Sequence, residues 1–537
     1  MWKKKQDVPE EGGLRVPDSA QFSYSEDGSG EIRVDSIRKK ARHQILFTAI
    51  LIIALFASMT AYFCRYSIMN RRELFDNDYN SRDSLLEAHN LRGSIFAAGG
   101  ETLAYSDEDN NRYYPYHNEF CHAIGYSVLG GSGIEEYMKY ELLHSDIPFR
   151  SKLEWDSTES LYPGNDVYTT LDVKMQEIVC SALNDLVPEY RSAVLVTEPS
   201  TGRILAMVSR PDFDPEAVEG MWEYLRTDQS GNAPLVNRVT QGLYPPGSTF
   251  KIVDAVELLQ EDPGAFNSFS FNCEDGTFSI GEDSIHCFDF EHHNQQNLEQ
   301  AFAHSCNSAF ASIVTQDLDQ DRFRKTLRRL LFDTDLPYDL PCSRSRSQLL
   351  EDSNISTHNL MQVAIGQGTT EVSPLHMNMI TMAVANRGIL MRPYMVDSVC
   401  TAEGDKLEQY SSRQAATLMD ADTADQVRKL MKGVTRVTYN AETGSDVWGT
   451  ASEFNGTWSY TAYGKTGTAE FGLVSDEERE DDEYSHAWFT GFSVDSDNGE
   501  DGDPDLCITV LIENGGVGSD RAVPVAKRIL DNWYGEY

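Results

Sequence analysis

A serine and a lysine three positions apart follow a Pro-Pro-Gly stretch in LYPPGSTFKIVDAVELLQ, Leu243–Gln260. The prolines and the glycine cannot extend a helix backwards, whereas apolar residues beyond them recur at the spacing of a buried helix. Ser248 is therefore predicted near a helix N-terminus, where its backbone N–H has no partner within the helix. Lys251 lies one turn on, on the same face. These are the parts of an activated nucleophile, and an N-cap serine beside a surface lysine is the alternative.

Two further short motifs accompany the first. The triplet SCN, Ser305–Asn307, lies between two predicted helices, and the tetrad KTGT, Lys465–Thr468, lies in a predicted strand near the end of the chain. A Ser-x-Asn triplet alone arises easily by chance. An S-x-x-K pair, a serine-containing triplet and K-T-G in this order are typical of penicillin-binding proteins and class A β-lactamases.

The outer part of the sequence resembles class B penicillin-binding proteins, the membrane-anchored D,D-transpeptidases that cross-link peptidoglycan. The resemblance also rests on the segments GSGIEEYMKYEL, NRVTQGLYPPGSTFK, AHSCNSAF, IGQGTTEVSPLHM, GKTGTAEF and HAWFTGF. LRGSIFAAGGETLA, residues 91–104, is similar to the R-G-x-I motif that opens the family's non-catalytic domain, although AAGG replaces the usual Asp-Arg-Asn-Gly turn.

The resemblance implies that Ser248 attacks the carbonyl of a D-Ala-D-Ala terminus and forms an acyl-enzyme, with Lys251 as its base. It also implies that Ser305 relays a proton to the leaving D-Ala and that Asn307 binds a substrate amide. An exposed lysine has a pKa of about 10.4, so a lysine base needs a lower one. Burial and the nearby cation of Lys465 would both lower the pKa of Lys251.

The K-T-G strand is expected to recognise substrate. The terminal carboxylate needs a cation and hydroxyl donors, which Lys465, Thr466 and Thr468 supply. The backbone N–H groups of Ser248 and Thr468 would form the oxyanion hole. Gly467 lets the substrate lie close along the strand, which suits binding by strand addition.

Three cysteines and a histidine form the pattern C-x13-C-x5-H-x12-C, at Cys273, Cys287, His293 and Cys306. Three thiols and an imidazole suit a closed tetrahedral zinc site. Some class B penicillin-binding proteins hold a zinc beside the second motif, and these positions resemble that arrangement, with His292 as an alternative ligand. A Cys273–Cys287 disulfide is the competing interpretation, since an oxidising exterior permits it. The zinc would be structural, and catalysis needs no cofactor.

The elements that position these motifs indicate an α+β fold. SAVLVTEPSTGRILAMVSR predicts a hairpin, and three strands are predicted near the C-terminus, with helices between. We expect an antiparallel sheet whose edge strands come from the two ends of the domain, flanked by helices. The last helix is predicted to start at Pro524. The domains are a disordered cytoplasmic tail at 1–44, a transmembrane helix at 45–64, a non-catalytic pedestal at 65–185 and a transpeptidase domain at 186–537.

One segment predicts a membrane anchor. Ile45–Cys64 has 20 residues and no charge, and as a helix it spans about 30 Å. Four basic residues precede it closely, at Arg38, Lys39, Lys40 and Arg42, so we expect a cytoplasmic N-terminus and an extracytoplasmic catalytic region of a bacterial cell membrane protein. The net charge of −40 argues against a nucleic-acid partner.

The function predicted from the motifs and the resemblance is a penicillin-sensitive peptidoglycan D,D-transpeptidase. Its partners would be peptidoglycan stem peptides and β-lactams, together with the SEDS-class membrane glycan polymerase that class B proteins usually accompany. A membrane-anchored β-lactamase and a catalytically silent cell-wall scaffold are the alternatives.

Overall fold

The computed structural model describes residues 29–69, 82–147, 161–228, 231–440, 445–470, 485–499 and 502–536. The chain divides into two compact units, Met1–Arg82 and Asp83–Tyr537. The first contains helix α1, Ser29–Met69, and its part Arg38–Ser67 is long and apolar enough to cross a membrane. It is the one such helix among the described residues.

Helix α1 begins well before Ile45, so residues 29–44, which we expected to be disordered, are helical. The physical reason is that residues 31–69 contain neither glycine nor proline, and nothing in the sequence stops the helix before its apolar part. Residues 1–28 of the predicted tail lie outside the described residues.

The early part of the second unit contributes four strands to a mixed six-stranded sheet. Its elements are α2 Arg82–His89, β1 Asn90–Leu91, β2 Ile95–Phe96, β3 Thr102–Ser106, β4 Arg112–Tyr113, α3 Cys121–Ile124, α4 Gly133–Tyr137, α5 Lys139–Leu143, β5 Tyr162–Pro163 and β6 Asp166–Thr169. The sheet order is β15-β14-β6-β2-β3-β4, in which β14 Val396–Cys400 and β15 Lys406–Gln409 come from much later in the chain. The domain boundary at 185/186 stays a prediction.

A buried carboxylate joins two of the segments that carried the family resemblance. Glu135 accepts hydrogen bonds from Arg92 Nε at 2.6 Å and from Arg112 Nε at 2.7 Å, and its side chain is fully buried. Burial raises the pKa of Glu135, but the two guanidinium groups outweigh it and hold that pKa below its ordinary value. A buried carboxylate is stable only while its cationic partners are in place. The Arg92–Glu135 ion pair therefore fixes α4 against the turn after β1.

A five-stranded antiparallel sheet carries the K-T-G motif on one of its edge strands. Its strands are β7 Ser192–Thr197, β8 Ile204–Arg210, β19 Tyr460–Glu470, β20 Ser485–Asp495 and β21 Leu506–Ile512. The order is β19-β20-β21-β7-β8, so one edge strand comes from the early hairpin and the other from the late strands. This confirms the α+β prediction and the predicted origin of both edges.

Helices cover both faces of this sheet. Helix α17, Gly518–Tyr534, packs on β20 and on α6, Val173–Leu186, while α15, Pro374–Ala385, packs on β20 and β21. The prediction that the last helix starts at Pro524 is wrong, because the helix begins at Gly518 with Pro524 inside it. Ala522, Val523, Val525 and Ala526 around the proline are all buried, and this packing offsets the hydrogen bond that proline cannot make.

The remaining helices and strands come between β8 and β19 in the sequence. They are α7 Val218–Arg226, α8 Lys251–Glu261, α9 Ala265–Ser268, β9 Ser270–Cys273, β10 Thr277–Ile280, β11 Asp283–His286, β12 Asn294–Asn297, α10 Leu298–Ala303, α11 Asn307–Ser312, α12 Gln320–Arg329, α13 Gln348–Glu351, α14 Thr357–Ala364, β13 Ile389–Met391, β16 Gln414–Thr417, α16 Ala421–Val434, β17 Val437–Asn440 and β18 Ser445–Trp448.

Candidate active site

Ser248 follows the Pro-Pro-Gly stretch and lies in a tight turn at the start of helix α8. Residues 247–250 form a 3-10 turn, and Lys251 is the first residue of the α-helix, which confirms the predicted helix N-terminus. Gly247 has φ +53°, and a Cβ on it would lie 2.7 Å from the carbonyl oxygen of Thr468. Glycine is therefore required by both the backbone conformation and the close approach of the K-T-G strand.

A second glycine, whose role sequence reasoning missed, supports this turn. Gly247 donates its N–H to the carbonyl of Gly366 at 3.0 Å. Gly366 has φ +67°, and a Cβ on it would lie 2.2 Å from the carbonyl oxygen of Gly247. Gly366 is the first glycine of the IGQG segment, and a glycine can indicate a backbone position that other residues cannot occupy.

The Lys251 ammonium lies at the centre of the first two motifs. Its Nζ is 3.0 Å from Ser248 Oγ, 2.6 Å from the carbonyl oxygen of Ser305, 3.2 Å from Ser305 Oγ and 2.7 Å from Asn307 Oδ1. The structure thus brings together the four residues that the sequence assigned to acylation. The geometry is that of a nucleophile within hydrogen-bond reach of its base.

Burial adjusts the charge of this lysine. Lys251 has no exposed side-chain surface, and burial lowers its pKa to about 8. Asp254, one turn further along α8, is also fully buried, and its carboxyl oxygens have no hydrogen-bond partner among the described residues. Burial raises the pKa of Asp254 well above its ordinary value. Asp254 is absent from the residues predicted from sequence, although an acidic residue within an apolar helical face indicates a special position.

The second motif is held in a strained turn between α10 and α11. Ser305 has φ +59°, a left-handed conformation that is uncommon for a residue other than glycine. This conformation presents both the carbonyl oxygen and the hydroxyl of Ser305 to Lys251. Asn307 Nδ2 donates to the carbonyl of His286 at 3.1 Å, which fixes the orientation of its amide. Strain of this kind is concentrated at functional sites.

The third motif lies in β19, as predicted, beside the other two. Lys465 Nζ donates to Ser305 Oγ at 2.9 Å and is fully buried, and burial together with the charge of Lys251 lowers the pKa of Lys465 well below its ordinary value. Thr466 Oγ1 lies 2.6 Å from Thr450 Oγ1, and Thr468 Oγ1 accepts from Gly518 N–H at 3.3 Å.

Packing requires a glycine at position 467, and the sequence did not indicate this. A Cβ on it would lie 2.9 Å from the carbonyl oxygen of Pro246 and 3.0 Å from Thr249 Cγ2. The glycine therefore allows the Ser248 turn to contact the K-T-G strand. The role of Gly467 toward the substrate stays a prediction.

The four predicted metal ligands converge next to the second motif. One ligand atom from each of Cys273, Cys287, His293 and Cys306 lies within 4.8 Å of the others. The Sγ of Cys287 is 3.7 Å from that of Cys273 and 3.6 Å from that of Cys306, and every cysteine of the chain is a free thiol. The competing disulfide is therefore absent, because a disulfide needs a sulfur–sulfur distance of about 2.05 Å.

The donor set fits a tetrahedral zinc ion. Zn–S bonds of about 2.3 Å at tetrahedral angles separate two sulfurs by about 3.8 Å, close to the spacings in this cluster. His293 is largely buried, it lies against the thiols of Cys273 and Cys287, and Glu291 approaches it only at 3.5 Å. Hydrogen bonding to Cys306 lowers the pKa of the Cys273 thiol to about 6, which favours the metal-binding thiolate. The alternative ligand His292 lies outside the cluster, with its ring on the Glu274 carbonyl.

Comparison with known proteins shows which proteins this chain is similar to. The sequence profile described as "Penicillin binding protein transpeptidase domain" matches residues 192–531. The chain is 28% identical to the peptidoglycan D,D-transpeptidase PbpA of Mycolicibacterium smegmatis over 84% of its own length and 90% of that protein. It is 26% identical to the peptidoglycan D,D-transpeptidase MrdA of Escherichia coli K12 over 78% of its own length and 71% of that protein.

Solved structures share the fold. The ceftriaxone acyl-enzyme complex of penicillin-binding protein A from M. tuberculosis superposes with a TM-score of 0.70 at 25% identity, covering 83% of this chain and 99% of that one. A D,D-transpeptidase domain from Eggerthella lenta gives a TM-score of 0.68 at 28% identity, covering 82% and 99%.

Proposed function

The chain belongs to the penicillin-binding protein transpeptidase family, and we propose that it is a peptidoglycan D,D-transpeptidase that works through an acyl-enzyme on Ser248. The observation that carries the proposal is the distance of 3.0 Å between Lys251 Nζ and Ser248 Oγ in a site where Lys251 is fully buried. A buried lysine with a lowered pKa is a base near neutral pH, and a serine beside it is a nucleophile.

Acylation follows from these contacts. Neutral Lys251 takes the proton of Ser248 as Oγ bonds to the carbonyl carbon of the penultimate D-Ala. The backbone N–H groups of Ser248 and Thr468 receive the negative charge that develops on the carbonyl oxygen. The peptide C–N bond then breaks, and a proton reaches the leaving D-Ala nitrogen through Ser305, whose hydroxyl lies 3.2 Å from Lys251 Nζ.

Recognition of the terminal carboxylate falls to β19. Lys465 supplies the cation, and Thr466 and Thr468 supply hydroxyl groups. In the free protein the Lys465 ammonium is held 2.9 Å from Ser305 Oγ. A substrate carboxylate beside Lys465 would favour its charged form and reduce the repulsion that burial and Lys251 impose.

We also propose that the cluster Cys273, Cys287, His293 and Cys306 holds a structural zinc ion. Four protein ligands close the coordination sphere, so the ion offers no site for a reacting water. Cys306 lies between Ser305 and Asn307 and caps α11 by accepting from Ala309 N–H at 3.4 Å. Zinc there would tie the catalytic triplet to the β10–β11 hairpin region and hold Ser305 in its strained conformation.

The membrane arrangement that we propose is a single-pass anchor with a cytoplasmic N-terminus and an extracytoplasmic catalytic region. Its support is the apolar helix Arg38–Ser67 and the cluster of basic residues at the N-terminal end of that helix. By the family resemblance we also propose a SEDS-class glycan polymerase as the partner. Co-purification of such a polymerase with the full chain, but not with a chain that begins at residue 82, would support a contact through α1.

Penicillin labelling tests the proposed function. The wild-type protein should gain one covalent penicillin per chain, measured by intact mass, and Ser248→Ala should gain none. Ser268→Ala, which removes an exposed hydroxyl on α9, should label like the wild type. Rapid turnover of nitrocefin by the wild type would instead favour a β-lactamase, and the absence of any label would favour a silent scaffold.

A further inference from the structure

A cavity of about 490 Å³ lies beside the proposed metal cluster of Cys273, Cys287, His293 and Cys306. Strands β12 and β18 border this cavity. His293 is the one member of the metal cluster that lines it, and none of the residues that we assign to acylation does. The cavity therefore adjoins the metal cluster from the side of its histidine.

The sulfur ligands of the metal cluster are closed to solvent. Cys273 and Cys287 are each 1% exposed, and Cys306 has no exposed surface. The side chain of His293 is 7% exposed. The histidine is thus the most exposed ligand and also the one on the cavity wall. A dissolved ion that passes this ring would reach the sulfurs with the least displacement of the protein, and a metal site needs such an entry path.

The charges around the cavity favour a cation. Glu291 and Asp446 line it and are both exposed, whereas no lysine or arginine of the described residues does. The Glu291 carboxylate lies 3.5 Å from His293 Nε2, and its side chain is 62% exposed. Glu291 therefore joins solvent to the metal cluster. A cleft lined by one sign of charge raises the local concentration of counter-ions.

The cavity wall also carries imidazoles. His292 and His304 line it, and the His304 ring stacks on the His293 ring with the ring centroids 5.1 Å apart. Imidazole nitrogens and carboxylate oxygens bind zinc, although thiolates are the softer ligands that select it. The lining thus places weaker ligands in front of the stronger ones, in the order that delivery of an ion to the sulfurs requires.

We propose that this cavity is the entry port through which hydrated zinc reaches the metal cluster, with Glu291 as the first ligand and His293 as the residue that receives the ion. The proposal rests on the proposed structural zinc and does not require the acyl-enzyme. Glu291 and His293 replace waters of the ion. The three thiols then give up their protons to water, and Glu291 releases the ion as the thiolates complete its four ligands.

Metal uptake by the full-length protein in detergent tests the port. The protein is stripped of metal with a chelator under reducing conditions and mixed with cobalt(II) chloride, because cobalt bound by thiolates absorbs visible light and so reports arrival at the sulfurs. The variants are Glu291→Gln and the double variant that adds Asp446→Asn. The control is Glu282→Gln, which neutralises an exposed carboxylate that does not line the cavity.

We expect the uptake rate of the wild type to rise linearly with cobalt concentration. The rate should fall about tenfold in the double variant, because the charges that concentrate the ion at the cavity are lost. Added salt should slow uptake by the wild type more than by the double variant. The final absorbance should be unchanged in every variant, since neither carboxylate belongs to the closed site, and Glu282→Gln should match the wild type.

Three results would overturn the port. Equal uptake rates in the wild type and both variants would exclude a part for the carboxylates in entry. Unchanged uptake with faster metal release would make Glu291 a group that orients His293. An uptake rate independent of cobalt concentration would mean that the metal cluster fills only when the protein unfolds locally.

Failure of the port can be distinguished from failure of the transpeptidase function. If the wild type takes up no metal, the structural zinc is wrong and the port is wrong with it. Penicillin labelling of the same preparation then shows whether Ser248 still forms an acyl-enzyme. One label per chain in metal-free protein would leave the proposed transpeptidase function intact.

Discussion

Lys251 and Lys465 converge on one hydroxyl, with their ammonium nitrogens 3.2 and 2.9 Å from Ser305 Oγ. Both side chains are fully buried, and each lies near an aromatic ring, Phe310 for Lys251 and Phe302 for Lys465, at 5.6 Å from the ring centroid. Two buried like charges this close disfavour each other. In the free site both lysines therefore have pKa values below their ordinary ones.

The first prediction concerns pH. Burial lowers the pKa of Lys251 to about 8, and the neighbouring Cys306, Cys287 and Asp254 groups partly oppose this shift. Only the neutral amine accepts the Ser248 proton, so the acylation rate constant should rise with pH, with a midpoint near about 8, and level off above it. Stopped-flow acylation by an uncharged penicillin ester checks this. A rate independent of pH between about pH 6 and pH 10 would contradict the role of Lys251 as the base.

The second prediction separates the two lysines. Lys465→Ala should slow acylation by carboxylate-bearing β-lactams by about a hundredfold, because a charge-assisted contact of about 3 kcal/mol is lost. Acylation by uncharged esters of the same drugs should fall far less. Lys251→Ala is the comparison, since it should abolish reaction with both classes. Equal loss for acid and ester in Lys465→Ala would point to a general electrostatic role.

The third prediction concerns the metal. Protein purified without chelator should contain one zinc per chain by elemental analysis, and Cys306→Ser should lower both the zinc content and the rate of penicillin acylation. The reason is that Cys306 joins the metal cluster to the triplet that orients Lys251. Cys342→Ser, which changes a cysteine outside the cluster, should leave both unchanged. A metal-free protein with full acylation activity would count against a structural zinc.

The fourth prediction concerns Gly366, which lies outside the three motifs. Gly366→Ala should lower the melting temperature and slow acylation, because its Cβ would lie 2.2 Å from the carbonyl oxygen of Gly247 at φ +67°. Gly281→Ala is the matched control, with φ +64° and nothing within 4 Å of the added Cβ. Gly281→Ala should lower the free energy of unfolding only by the backbone strain of about 1–2 kcal/mol, and its acylation rate should be normal. If the two variants were equally active, the contact would have no part in positioning Ser248.

Much of the site could be predicted because its residues lie in short, locally readable patterns. The Ser248 turn, the early hairpin and the strand position of Lys465 follow from prolines, glycines and hydrophobic periodicity, which act over a few residues. The convergence of Cys273, Cys287, His293 and Cys306 followed from family resemblance, because no local pattern brings such widely spaced residues together.

What sequence reasoning missed depends on contacts between distant segments. The approach of Gly366 to Gly247 and the pairing of β14 with β6 are set by the tertiary fold, and neither leaves a local signature. The start of α17 was misplaced because packing on the sheet outweighed the usual meaning of Pro524. The start of α1 was misplaced because hydropathy marks the apolar part of a helix and not its end.

The pairing of β14 with β6 also constrains the order in which the protein can fold. Val399 lies opposite Val167, and Cys400 lies opposite Asp166, although synthesis produces β6 long before β14. Until β14 arrives, the edge of β6 that it covers remains open to other chains, and such edges invite misassociation. The six-stranded sheet is therefore completed only after most of the later sequence has been made. A nascent chain that stalls before Val396 would expose the unpaired edge of β6, which a folding factor could shield.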